Sequence, residues 1–341
     1  MWKQRVTRAA IVTAAVLVIA AMGSVWLWRD RPSLEVTGWS SPPEQAENPA
    51  SVTATWLGVT TLLFDDGETQ ILIDGFFSRP SLADMLLGRV VVNDAAMINF
   101  ALHEYRMRRL AAIIPVHSHF DHAMDVGAVA KRTSASILGS ESTANIARGA
   151  GVPDDQIVVS DAAEVYEFGE FKVRLLPSRH APIGWRGNPP LPGTIDEPLE
   201  LPQPVKAWRE GGSYTIVIEH PQGTTLVQGS AGFVEGLIEG VSADVVMLSV
   251  GGLTTLDEEY AEQYWQAFVT TTGASSVYPI HFDDFTKPFG VIAPGPRAFG
   301  DLEETSRWFD AFREKWDQDV TIFLPEFGKP IALYAQPSSS T

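Results

Sequence analysis

The sequence predicts an α+β protein: a four-layer αββα sandwich of two mixed β-sheets, preceded by one N-terminal transmembrane helix. Three observations carry that expectation. Each half of the chain holds several short apolar, strand-like runs with helical stretches between them, and no repeat at solenoid periods is seen. Hydrophobic residues make up 45% of the 341 and charged residues 20%, enough to build a normal buried core. At the N-terminus, Lys3, Arg5 and Arg8 precede an apolar run from Ala9 to Trp28, which Arg29 and Arg31 stop.

That run decides the placement of the chain. Twenty helical residues span about 30 Å, the hydrocarbon thickness of a bilayer. Trp26 and Trp28 stand where an interfacial aromatic belt belongs. A signal peptide usually has a shorter apolar stretch of roughly 7–15 residues, so residues 1–31 read as an uncleaved membrane anchor. A signal cut at Ala21-Met22-Gly23 and a secreted product are the alternative. In either case the basic flank stays inside and the domain faces the periplasm or cell exterior. Residues 32–51, polar and bearing Ser41-Pro42-Pro43-Glu44, read as a flexible linker, 52–335 as the folded domain and 336–341 as a loose tail.

Strands are expected at Val52–Gly58, Thr60–Phe64 and Gln70–Asp74, the last two joined by a turn at Asp65-Asp66-Gly67. Asp94–Leu110 has helical periodicity, and Ala111–Val116 reads as a buried strand. Short helices follow at Met124–Lys131 and Ser142–Gly149. Further strands lie at Ile157–Val159, Val165–Phe168, Phe171–Leu176, Tyr214–Glu219 and Thr224–Gln228. The chain closes with a strand at Val245–Ser249, a helix over Leu256–Val269, a strand at Ser276–Ile280, a helix over Asp301–Trp316, and strands at Val320–Leu324 and Ile331–Tyr334. Ala181–Pro204 breaks the pattern with seven prolines and no periodicity; a loop that long is either functional or disordered.

Charge and composition narrow the chemistry. The chain carries 25 basic and 42 acidic residues, and five of the basic ones lie in the first 31 positions. An acidic domain repels phosphate backbones, so no nucleic-acid partner is expected. With no cysteine, thiolate ligands and cysteine nucleophiles are excluded, and any metal must be held by His, Asp or Glu. Three of the seven histidines fall within six residues, in Pro115-Val116-His117-Ser118-His119-Phe120-Asp121-His122. This segment follows a buried strand and precedes a helix, the loop position where sites are usually built. Neutral imidazole and carboxylate are the ligands zinc accepts when thiolate is unavailable.

The segment resembles the HxHxDH signature of the metallo-β-lactamase superfamily. Thr55-Trp56-Leu57-Gly58 and Ile71-Leu72-Ile73-Asp74-Gly75-Phe76-Phe77-Ser78 resemble the opening strands of its branch of ascorbate-phosphate lactonases and N-acyl-phosphatidylethanolamine phospholipases D. His180 matches the third histidine of the first metal site and His281 the late histidine of the second. The resemblance runs from about Val52 to Leu333. It implies a metallo-β-lactamase-fold catalytic domain with two zinc ions, manganese or iron being alternative occupants. His117, His119 and His180 would hold the first metal, and Asp121, His122 and His281 the second. A metal-activated hydroxide would attack a carbonyl or phosphoryl centre, with Asp121 orienting it as a catalytic group.

One position departs from the nearest branch. Its members carry a bridging aspartate in a Gly-Asp-Thr/Ser-Gly turn, whereas this chain reads Gly229-Ser230-Ala231-Gly232. Either the second metal is weak, or the site resembles zinc β-lactamases that use Asp, His and His without the bridge. Asp74, Ser230 and Asp283 are candidates for supporting the ligands from behind, each with a plain turn role as its rival. His103 and His220 read as structural or solvent-facing, and Trp185 and Trp208 as a lid or as ordinary packing. The expected function is zinc-dependent hydrolysis of an ester, lactone, amide or phosphodiester, on a small-molecule or lipid-like substrate outside the cytoplasm, with the membrane engaged through residues 9–28. A zinc β-lactamase and a membrane-anchored binding protein without catalysis are the alternatives.

Overall fold

The computed structural model describes residue 13, residues 22–42 and residues 51–334. Strands of the first half are β1 (Thr53–Trp56), β2 (Leu62–Asp65), β3 (Gln70–Ile73), β4 (Val90–Val91), β5 (Leu110–Ile114), β6 (Ser136–Gly139) and β7 (Ile157–Val159). Those of the second half are β8 (Tyr166–Phe168), β9 (Phe171–Ser178), β10 (Gln203–Pro204), β11 (Ser213–His220), β12 (Gly223–Gln228), β13 (Val245–Ser249), β14 (Ser276–Ile280), β15 (Thr321–Ile322) and β16 (Pro330–Ala332). They form two seven-stranded sheets, ordered β16-β1-β2-β3-β5-β6-β7 and β15-β14-β13-β12-β11-β9-β8; β4 and β10 pair apart from both.

Each sheet is mixed for a legible reason. Tight turns give the antiparallel pairs β1–β2, β2–β3 and β11–β12, while helices connect the parallel pairs β5–β6 and β13–β14. Val245–Ser249 is buried at every position, as a strand covered on both faces must be. Phe171, Val173 and Leu175 alternate with more exposed residues on β9 and enter the core between the sheets, where Trp56, Phe64, Ile216 and Leu226 meet them. The expected two mixed sheets with helices are therefore present.

Several boundaries differ from the sequence reading. The helix expected over Asp94–Leu110 stops at Glu104, leaving Leu110 to begin β5. The one expected over Leu256–Val269 begins at Glu258, where Asp257 caps it by accepting from the Tyr260 N–H, and it passes into a π-turn at Gln266–Thr270. The short strand β6 went unread because Ser-Ile-Leu-Gly is too brief to show a period.

The linker expectation needs correction over residues 32–42. This stretch is docked: Leu34–Thr37 forms a 3₁₀ turn, Trp39 stacks on Phe309 at 6.1 Å, and the Leu324 N–H donates to the Ser40 carbonyl at 3.0 Å. A large aromatic in a polar stretch found an apolar partner, which composition alone does not reveal. No helix among the described residues is long and apolar enough to cross a membrane. Residues 22–29 are helical, but most of the apolar run 9–28 lies outside the described residues, as does the tail 336–341.

Candidate metal centre

Strand β5 ends at Ile114, and the chain turns at Pro115 to put three histidines and an aspartate just past the C-terminal end of this interior strand. His117 and His119 precede the one-turn helix Phe120–Ala123, which carries Asp121 and His122. His180 follows β9, and His281 follows β14. The fold thus gathers residues more than 160 positions apart into two triads: His117, His119, His180 and Asp121, His122, His281, each with ligand atoms within 4.8 Å of one another.

The orientation of three rings, His119, His180 and His122, is set by what the other nitrogen does. His119 Nε2 donates to the Pro190 carbonyl at 2.8 Å, which turns Nδ1 toward His117 Nε2 at 2.9 Å. Two nitrogens on a tetrahedral zinc stand about 3.3 Å apart at ordinary Zn–N lengths, so this spacing is near what one ion requires. His180 Nδ1 donates to the Ala181 carbonyl at 2.9 Å and leaves Nε2 for the cluster. His122 Nδ1 donates to Asp74 Oδ2 at 2.7 Å, and its Nε2 lies 3.5 Å from Asp121 Oδ2. His281 Nε2 lies 3.6 Å from the same oxygen. This is the arrangement that fixes tautomers in metal sites.

Electrostatics point the same way. Burial and the neighbouring imidazoles push His117 well below the ordinary histidine value; burial lowers His119; and burial with His119 beside it takes His180 down to about 3. These rings are neutral at pH 7 and hold lone pairs for a cation. Burial alone would raise the Asp121 carboxyl, yet His122 and His281 outweigh it and hold it far below the carboxylate range. With no thiolate, three imidazoles in one triad and a carboxylate with two imidazoles in the other, the donor set fits a divalent metal pair.

The supporting residues divide. Asp74, fully buried, accepts from the Val116 N–H at 2.9 Å and from His122, so it links the two ends of the motif. Asp283 does not touch a ligand side chain: its Oδ1 accepts from the Val59 N–H at 2.7 Å, and the Val59 carbonyl accepts from the His281 N–H at 2.9 Å. Val59 and His281 both have positive φ, 51° and 59°, an uncommon state that this brace holds. Ser230 Oγ accepts from the Ala181 N–H at 2.8 Å, fixing the backbone just after His180. Among residues the sequence did not single out, Asp125 is buried and accepts from the Phe77 and Ser78 N–H groups at 2.8 and 2.6 Å, tying the strand-end segment to the helix behind the motif. Its only signal was a carboxylate inside the apolar Ala123–Ala130 stretch. Buried Arg79, paired with Asp283 at 3.5 Å, had none.

His119, Asp121, His180 and His281 open into a cavity of about 580 Å³. The proline-rich loop supplies Pro190 and Leu191 to its wall. Trp185, in that loop, and Trp208, just past it, do not form a lid pair: Trp208 is fully buried and Trp185 is 81% exposed. His103 is exposed, and His220 lies 3.6 Å from Asp66, far from either triad in the fold.

Residues 54–273 match the family model described as the metallo-β-lactamase superfamily. The chain belongs to that superfamily. It is 23% identical over 234 residues to a UPF0173 metal-dependent hydrolase of Pyrobaculum islandicum, covering 67% of this chain and 84% of that protein. A second UPF0173 metal-dependent hydrolase, from Myxococcus xanthus, is 27% identical over 180 residues, covering 52% and 57%. Among solved structures, the diiron β-hydroxylase CmlA from Streptomyces venezuelae superposes with a TM-score of 0.51 at 14% identity, over 84% of this chain and 55% of that one. Igni18, a metallo hydrolase from Ignicoccus hospitalis, gives 0.48 at 16% identity, over 82% and 97%. At 14% identity the likeness to the CmlA structure speaks for the fold alone.

Proposed function

We propose that this superfamily member is a hydrolase with two divalent metals, most simply zinc, acting on an ester, lactone, amide or phosphodiester. The single observation that carries the reading is the pair of triads, the first made of three neutral imidazoles, opening on one cavity. The names of the two curated relatives, both metal-dependent hydrolases, support the reaction class. When bound, such metals supply Lewis-acid activation of water and of the substrate oxygen that gains charge. The chain's own part is positioning. Asp121, held ionised beside His122 and His281, faces the cavity and can orient an attacking water by accepting its hydrogen bond. Asp74 keeps the proton of His122 on Nδ1, away from the metal side. Pro190 and Leu191 cover the first triad and limit its exposure to solvent.

Zinc is favoured over a redox iron pair because the chain carries histidine at position 119 rather than the glutamate of flavodiiron proteins. The apolar run 9–28 behind a basic flank supports placement of the domain on the outer face of a membrane. Elemental analysis of the full chain after dialysis against micromolar zinc, together with a panel of esters, lactones, amides and phosphodiesters, tests the reading. Near two zincs per chain and turnover of one class are expected. Two tightly held metals with no turnover of any class would point instead to a binding protein, for which Ser230 in the bridging position is the motive.

A further inference from the structure

The cavity has a wall that the catalytic reading does not use. Trp28, from the segment that ends the N-terminal apolar run, lines the cavity together with Phe299 and with Leu82, Met85 and Leu86 of the helix Leu82–Leu86. The Trp28 and Phe299 rings meet edge to face at 6.0 Å. Three segments distant in sequence thus bring apolar side chains to the wall of the same space that His119 and Asp121 line.

The segment is latched in place. Arg31 pairs with Asp284 at 2.8 Å and donates to the Pro294 carbonyl at 2.6 Å, and the Arg297 N–H donates to the Asp30 carbonyl at 2.9 Å. Asp284 is 5% exposed and stands three residues past His281, so the latch ties this strap to the loop of the second triad. An exposed ion pair would add little; one whose carboxylate is buried and fixed by Thr286 holds geometry.

The free apolar surface at the mouth shows what the strap is for. Phe299 is 61% exposed and Leu86 76%. No lysine or arginine among the described residues lines the cavity, so nothing there pairs with a second anionic group on a substrate. A concave, largely apolar lining with a few convergent polar groups at the triads fits a ligand that is polar where it meets them and apolar elsewhere.

We propose that the strap 28–31, with Phe299 and the helix Leu82–Leu86, forms a subsite for a straight apolar chain carried by the scissile substrate. This rests on the cavity being the catalytic site, and it deepens that reading by giving the substrate class: an amphiphile whose hydrolysable group meets the metals while its chain lies against Trp28.

The test uses the zinc-loaded full chain in detergent micelles and two fluorescent carboxylates, 11-(dansylamino)undecanoic acid and dansylglycine, with empty-micelle signal subtracted. Each buried methylene is worth about fourfold in affinity, so with only about four of its extra methylenes buried the long probe should bind more than a hundredfold tighter than the short one. Trp28→Ala and Phe299→Ala, each removing contact equal to about two methylenes, should cut that ratio by about 15-fold. Circular dichroism and zinc content at wild-type level show that the variants fold and keep their metals. Equal affinity for the two probes in the wild type, or an unchanged ratio in both variants, would overturn the proposal. Chain-dependent binding without hydrolysis of any ester would remove the hydrolase reading and leave the subsite standing; hydrolysis indifferent to chain length would do the reverse.

Discussion

Replacing Asp74 by asparagine isolates the tautomer argument from the fold. The carboxylate accepts twice, from the Val116 N–H at 2.9 Å through Oδ1 and from His122 Nδ1 at 2.7 Å through Oδ2. Asparagine is nearly isosteric and keeps one carbonyl oxygen for Val116. Its amide then faces His122 Nδ1 with a donor, and two donors cannot share a 2.7 Å contact. The ring must move its proton to Nε2, the nitrogen that lies 3.5 Å from Asp121 and would have to bind the second metal. Loss of such a support to a ligating histidine weakens metal binding by about 10–100-fold. That is about 1.4–2.8 kcal/mol, in line with the roughly 1.5–3 kcal/mol of a hydrogen bond to a charged group. Zinc competition with a chromophoric chelator reads the two sites as two steps, and the His117, His119, His180 step serves as internal reference. A second step within twofold of wild type would show that Asp74 does not set the tautomer. An equal fall in both steps would mean that the substitution disturbs the whole loop, and the reasoning would fail on that result as well.

Other expectations follow from the same geometry. His119→Ala should lose the first metal and all turnover while circular dichroism is kept, and His281→Ala should lose mainly the second; the exposed His103→Ala should match wild type in zinc content, and metal loss there would unseat the ligand assignment. Ser230→Ala leaves the buried Ala181 N–H without its acceptor, which should cost about 1–3 kcal/mol in a urea titration and weaken the first site more than the second; no change in either would reduce Ser230 to a small turn residue. In metal-depleted protein, His180 sits near 3 when folded against 6.5 when unfolded. Below pH 6.5 the unfolded chain takes up a proton that the folded one refuses, so this stability is complete above 6.5 and lost as pH falls toward 3. Between pH 7 and 5 the loss is about 2 kcal/mol; a urea midpoint flat across that range would contradict the burial of His180.

Much of the centre was legible because its chemistry is local. His117, His119, Asp121 and His122 lie within six residues, and a chain without cysteine has few other reasons to place imidazoles and a carboxylate in one strand-end loop. His180 and His281 were legible only through resemblance, since a lone histidine after a strand carries no signal of its own. The sheets could be read from apolar runs, but not β6, whose four residues show no period, nor the end of the helix at Glu104, where an apolar pattern continues into the next strand.

What the sequence by itself determined, then, is what depends on residue type and short spacing: the donor set, the mixed α+β core and the apolar N-terminal run. Tertiary structure decided everything that depends on which groups meet. Asp283 braces Val59 across 224 positions rather than touching a ligand, Ser230 grips the backbone after His180, Trp208 is buried while Trp185 is exposed, and residues 28–42 lie against the domain instead of swinging free. A hydrogen bond or a stacking contact is fixed by distance and direction to better than an ångström, and those are set only when the two sheets have closed on each other.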